Sequence, residues 1–225
     1  MSDNRRVPAA VWIVLGVVLG VVIARTGFPD GWRWTSSPLT LNPGMAAPDG
    51  AAQAAERASW TALAHETVGR HGAIEPILGK GATVRLLVRL AEQEGYRAHP
   101  YPDAEGWTVG IGKHAGVTHA HPLVTRREAL EQALADARTQ CGRFETGWPP
   151  LMQQPIGLRI ALCDAAFQLG SDGLLSFQLA LGALETGDCD QAAWEFRDSR
   201  WTDDTPRRVA ALASTILETC TMGTP

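Results

Sequence analysis

With 225 residues, of which 45% are hydrophobic and 20% charged, the chain can hold one globular domain of ordinary size plus appendages. A net charge of −4 argues against nucleic acid as a partner. From Ala82 onward Asp and Glu outnumber Arg and Lys by five, so affinity for an anionic polymer has to come from a cleft and not from long-range attraction.

In chain order, residues 1–6 form a short tail carrying Arg5 and Arg6, and residues 7–24 form an uncharged run of 18 residues from Val7 to Ala24. At about 1.5 Å per residue, such a helix just spans a hydrocarbon core of roughly 30 Å. Arg25 and Arg33 follow, so flanking charge is nearly balanced, and the free amino terminus tips the orientation towards a cytoplasmic N-terminus. The rival is a cleaved signal peptide ending at Val22-Ile23-Ala24, but no polar segment precedes that site. The expectation is an uncleaved, single-pass inner-membrane anchor with the rest of the chain periplasmic. Residues 25–81 read as a linker rich in Pro, Gly, Ser and Ala at its start, with Trp32 and Trp34 at the membrane interface and a helix possible over 51–70. Residues 82–225 form the enzyme-like domain.

In that domain Val84, Leu87, Val88 and Ala91 recur at helical spacing, and Gly95 stands where helices end. Glu94 therefore sits at a helix C-terminus, where the dipole disfavours its ionised form and suits it to donate a proton. The runs Tyr96 to Tyr101 and Trp107 to Gly112 read as a hairpin whose turn, 102–106, carries Asp103. Alternation puts Thr108, Gly110 and Gly112 on one face, bare enough for a polymer to lie against. Two carboxylates and a hydroxyl around one such surface suit cleavage of a glycosidic bond. Either carboxylate alone reads more simply as a surface or turn residue.

His114, His119 and His121 share a loop without paired Cys or helical His spacing, so no metal is expected. Thr125 and Glu128 form a capping-box pattern opening a helix through Ala137. Leu158, Leu162, Ala165, Ala166 and Leu169 mark another helix, with Cys163 on its apolar face as a core thiol. Thr205-Pro206 reads as an N-cap and first helical residue, and Trp201 as core packing. Cys141, Cys163, Cys189 and Cys220 permit three disulfide pairings if the domain faces an oxidising compartment.

The run Glu94-Gly95, Tyr101, Asp103, Gly106, Thr108, Gly110, Gly112 resembles the catalytic signature of the phage-type lysozymes (endolysins), glycoside hydrolases of the T-even phage type. Ala161-Leu162, Phe167-Gln168-Leu169-Gly170, Ser199-Arg200-Trp201, Thr205-Pro206 and Arg208 resemble the C-terminal lobe of that family in the same order. The resemblance covers about Ala82 to Thr219. It implies an α+β, mainly α, lysozyme-like domain: a small hairpin lobe and a helical lobe joined by a long helix, here preceded by a transmembrane helix.

The resemblance also implies a muramidase acting on peptidoglycan, with inversion at the anomeric carbon, without a cofactor, for host lysis or local wall remodelling. Glu94, Asp103 and Thr108 would be catalytic, and Gly110, Gly112, His114, Phe167 and Gln168 would bind substrate. The segment between Asp103 and Thr108 is one residue shorter than the usual pattern. Lys113 stands where the family has a histidine that pairs with an aspartate, so Lys113 and Asp136 are expected to form a structural ion pair. A lytic transglycosylase and a non-catalytic wall-binding scaffold are the alternatives.

Overall fold

An alanine-rich stretch, Gly50–His71, forms helix α1, and its buried residues Trp60, Ala64, Thr67 and Val68 fall on one face at helical spacing. Arg70 and His71 in its last turn suit the negative end of the helix dipole. The computed structural model describes residues 50–103 and 106–222, with side chains through residue 219, all within a unit that begins at Pro48. Trp60, at 2% exposure, shares a continuous apolar core with Ile74, Ile77 and Leu78 and with the helices that follow. The segment 25–81 is thus not linker throughout: its second half packs into the domain, and the boundary expected at Ala82 falls inside helix α2, Gly79–Glu94. Arg57 reaches Glu92 of α2 at 3.3 Å. Surface pairs of this kind contribute about 1 kcal/mol at most, so the apolar face carries the attachment.

Helix α2 buries Leu86, Leu87 and Leu90 completely and ends where Gly95 takes φ 71, ψ 167. The positive φ agrees with the expected glycine stop, although ψ carries the chain straight into extended structure. Strand β1, Arg97–Asp103, pairs antiparallel with β2, Gly106–Gly110. Asp103 is the last residue of β1, paired with Gly106, and not a residue of the turn proper.

Helix α3, Arg126–Gly147, opens on the expected capping box: the Thr125 hydroxyl accepts from the Glu128 amide, and the Glu128 carboxylate accepts from the Thr125 amide. Those bonds hold the Glu128 carboxyl below its ordinary value. After a 3-10 turn at Pro149–Gln153, helix α4, Ile156–Leu175, packs along α3. Cys141 and Cys163 meet there as buried free thiols. Burial, then the Cys163 thiol beside it, pushes Cys141 well above the ordinary thiol range. Cys163 is the core thiol anticipated, whereas Cys189 is disulfide-bonded.

Helix α4 breaks at Gly170 (φ 72), and the Ser171 amide that follows donates instead to Gln140 Oε1 of α3 at 2.8 Å. Four further helices close the domain: α5 Gln178–Thr186, α6 Cys189–Arg197, α7 Arg200–Asp204 and α8 Pro206–Met222. Phe177, Phe196 and Trp201 form an aromatic cluster among them. Helix α8 starts at Pro206 as anticipated, but the Thr205 hydroxyl donates back to the Trp201 carbonyl at 3.3 Å. A mainly helical α+β chain with one small hairpin fits the lysozyme-like architecture. Among the described residues no helix is long and apolar enough to cross a membrane; the apolar run 7–24 and the aromatic Trp32 and Trp34 lie outside them.

Candidate active site

Antiparallel pairing sets Tyr101 opposite Thr108 and Asp103 opposite Gly106. Side chains two apart share a face, so Asp103 and Thr108 are diagonal neighbours across the hairpin. The Thr108 hydroxyl donates to Asp103 Oδ2. Thr108 is almost wholly buried at 1% exposure, so its hydroxyl needs such a partner.

Strand β2 then departs from the extended run anticipated to Gly112. Val109 and Lys113 exchange both backbone hydrogen bonds at 3.1 Å, which doubles the chain back through Gly110 (φ 68) and Gly112 (φ 72). Both angles favour glycine because a Cβ is strained there. Since Val109 faces Lys113, the residues next outward, Thr108 and His114, also meet. His114 Nδ1 lies 2.7 Å from Thr108 Oγ1 and 3.3 Å from Asp103 Oδ2.

The two glycines have separate packing duties. Gly110 is buried, and a Cβ on it would meet Ala129 Cβ at 3.3 Å and Val124 Cγ1 at 3.6 Å. The close approach it permits is that of helix α3, so the expectation that Gly110 offers a bare surface to substrate is corrected. Gly112 lies under the catalytic candidate: a Cβ on it would sit 3.6 Å from Glu94 Oε2.

The other oxygen of Glu94, Oε1, forms an ion pair with Arg208, 2.8 Å from Nη2. Arg208 was legible as part of a motif but not as a partner of the acid. The available signal is electrostatic, because Arg207 and Arg208 occupy the first turn of α8, where the positive dipole end repels cations; a pair of arginines there calls for a nearby anion. Behind Glu94, Arg89 Nε donates to the buried Asp164 of α4 at 2.8 Å. With its amide turned to suit, Gln93 donates to both Asp164 oxygens at 3.1 and 3.2 Å. This network fixes the last turn of α2, and no local sequence pattern announces it.

Phe167 and Gln168 lie half-buried on α4 just before the Gly170 break. Phe167 packs against the core, and Gln168 Oε1 and Arg208 Nη1 are buried polar atoms without a hydrogen-bond partner among the described residues. Among the described residues no group of three or more His, Cys, Asp or Glu is placed to hold a metal ion.

Lys113 and Asp136 do not form the contact ion pair expected of them. Burial raises the Asp136 carboxyl above its ordinary value, and the Lys113 charge lowers it only in part. The pH dependence therefore has the opposite sign from that of a salt-bridged aspartate. With the folded pKa raised, the native state binds more protons, so the contribution of Asp136 to stability is fully present below about pH 4 and is lost as pH rises through the folded value. Asp136→Asn should accordingly stabilise the protein at pH 7, by less than about 1 kcal/mol since the side chain is partly solvated. Denaturant melts at pH 7 and pH 3 should show that advantage shrinking in acid; an advantage that grows in acid would contradict the assignment.

Comparison with known proteins places this geometry in a family. The phage lysozyme family model matches residues 91–214. The pre-baseplate central spike protein Gp5 of Enterobacteria phage T4 is 29% identical over 153 residues, covering 57% of this chain and 27% of that protein. The peptidoglycan hydrolase gp36 of Pseudomonas phage phiKMV is 29% identical over 126 residues, covering 54% of this chain and 14% of that protein. A probable T4-type lysozyme 1 of Dictyostelium discoideum is 25% identical over 160 residues, covering 59% of this chain and 93% of that one. The chain thus spans only a small part of the two phage proteins and nearly all of the third. The family match includes Glu94, the hairpin, the connecting helix and Arg208, over more than half of the sequence, and the chain therefore belongs to the phage lysozyme family.

Proposed function

We propose that the protein is a peptidoglycan muramidase that hydrolyses the bond between N-acetylmuramic acid and N-acetylglucosamine. The observation that carries this reading is that one glycine turn borders both halves of the chemistry: Glu94 Oε2 lies over Gly112, and the Asp103–Thr108–His114 cluster stands at the ends of the same turn. Arg208 occupies Glu94 Oε1, which leaves Oε2 to carry the proton donated to the leaving glycosidic oxygen. Asp103 orients the attacking water and stabilises the developing positive charge on the sugar, with the Thr108 hydroxyl fixing its carboxylate. Attack from the face opposite the leaving group inverts the anomeric carbon.

Digestion of purified peptidoglycan in ¹⁸O-water, with mass analysis of the fragments, tests the reading. A muramidase yields reducing N-acetylmuramic acid ends carrying one ¹⁸O. Anhydro ends would identify a transglycosylase, and intact glycan a binding protein; either result overturns the proposal.

We further propose that residues 7–24 anchor this domain in the inner membrane, with a cytoplasmic N-terminus and a periplasmic catalytic domain. The support is the 18-residue uncharged run and its missing polar cleavage region. Full-length protein should fractionate with inner membranes and become accessible to protease only once the outer membrane is opened. A mature N-terminus at Arg25 would establish a cleaved signal instead.

A further inference from the structure

The His114–Thr108–Asp103 cluster contains more acceptors than one hydroxyl proton can serve. Thr108 Oγ1 touches Asp103 Oδ2, His114 Nδ1 lies 2.7 Å from the same hydroxyl oxygen, and Nδ1 lies 3.3 Å from Oδ2. An ionised carboxylate has no proton to give. If Nδ1 were bare, the hydroxyl could satisfy only one of its two neighbours, and the Nδ1 lone pair would face the carboxylate oxygen. If Nδ1 carries a proton, every contact is satisfied: the hydroxyl donates to Oδ2, and the ring N–H donates to Oγ1 while leaning towards Oδ2.

We propose that His114 is a positioning residue that, through a protonated Nδ1, fixes the Thr108 hydroxyl and its bond to Asp103, and is not a substrate-binding residue. The backbone makes this placement obligatory, because the Val109–Lys113 pairing delivers His114 beside Thr108. The ring is 42% exposed and Asp103 is 24% exposed, whereas the hydroxyl between them is buried. The imidazole thus covers the outer side of a bond whose inner side is already packed. Held this way, the hydroxyl cannot rotate its proton off Asp103, so the carboxylate keeps one orientation when it receives water. The role rests on Asp103 and Thr108 being the water-side pair proposed above.

The test joins a measurement independent of catalysis to one that depends on it. Long-range ¹H–¹⁵N correlation on ¹⁵N-histidine-labelled protein at about pH 8, where an ordinary imidazole is neutral, should show His114 as the Nδ1–H tautomer. The Nε2–H tautomer would overturn the proposal even if wild-type protein cleaved nothing, the result by which the muramidase reading itself would fail. On soluble uncrosslinked glycan, His114→Leu should lower kcat about ten- to a hundred-fold with little change in KM, since misplacing a catalytic group is a turnover defect. His114→Asn, whose amide nitrogen falls close to the position of Nδ1, should restore kcat to within a few-fold of wild type. A Leu variant with wild-type kcat, a loss confined to KM, or an Asn variant as impaired as Leu would each refute the role.

Discussion

Glu94→Gln is expected to lower wall-degrading activity by about 10² to 10⁴ in rate while the fold stays intact. That range is the usual contribution of a positioned general acid. The amide keeps the length and volume of the carboxyl, and its oxygen can still face Arg208, whose guanidinium lies 2.8 Å away in the wild type. The substitution removes the transferable proton and the charge that pairs with Arg208, while the Arg89–Asp164–Gln93 network behind it continues to hold the helix end. Turnover on isolated peptidoglycan, together with a thermal melt, separates the two effects. Activity within a few-fold of wild type would dismiss Glu94 as the acid, and a lost melting transition would show that the residue is structural.

Trp60→Ala destabilises the domain by about 3 to 5 kcal/mol, the usual cost of emptying the site of a fully buried large aromatic. Trp60 lies against Tyr96, ring centroids 5.8 Å apart, and Arg126 covers its face at 4.8 Å. Its removal leaves a cavity between α1 and the start of the hairpin. The surface pairs linking α1 to α3, such as Arg127 to Glu66 at 3.0 Å, are too solvated to offset the loss. Urea melts of wild type, Trp60→Ala and the surface control Arg127→Gln check the claim. A change below about 1 kcal/mol in the tryptophan variant would mean that α1 does not belong to the core.

These two positions show where the sequence could be read and where it could not. Glu94, Asp103 and Thr108 lie in one short stretch whose spacing constrains them, so a local reading brings all three to one turn, where the structure has them. The capping box at Thr125 and the start of α8 at Pro206 are likewise decided by neighbouring residues. Helix α1 was expected over 51–70, but its packing into the domain was not, because its inward face, Trp60, Ala64, Thr67 and Val68, raises little hydrophobic signal. The alternation rule failed after Val109 because it assumes continued extension, whereas positive φ at Gly110 and Gly112 reverses the chain. That reversal turned one supposed substrate surface into a packing contact and brought His114 to Thr108. The Lys113–Asp136 pair failed for another reason: similarity of position does not fix distance, and desolvation outweighed a lysine that comes near without contact. Partners separated widely in sequence, Glu94 with Arg208 and Arg89 with Asp164, depend on tertiary closure that no local pattern records.

The clasp between Glu94 and Arg208 also bears on when the chain becomes an enzyme. The acid lies on one of the first helices of the domain and its guanidinium partner on the last, so the contact has a long sequence separation and forms late in assembly. On a growing chain the N-terminal helices can fold as they emerge, but the Glu94 carboxylate lacks its Arg208 partner until α8 has been synthesised and docked. Chains stalled or clipped before Arg208 would keep the hairpin and its carboxylate while lacking the held acid. On the proposed reading, hydrolytic competence then depends on α8 being in place.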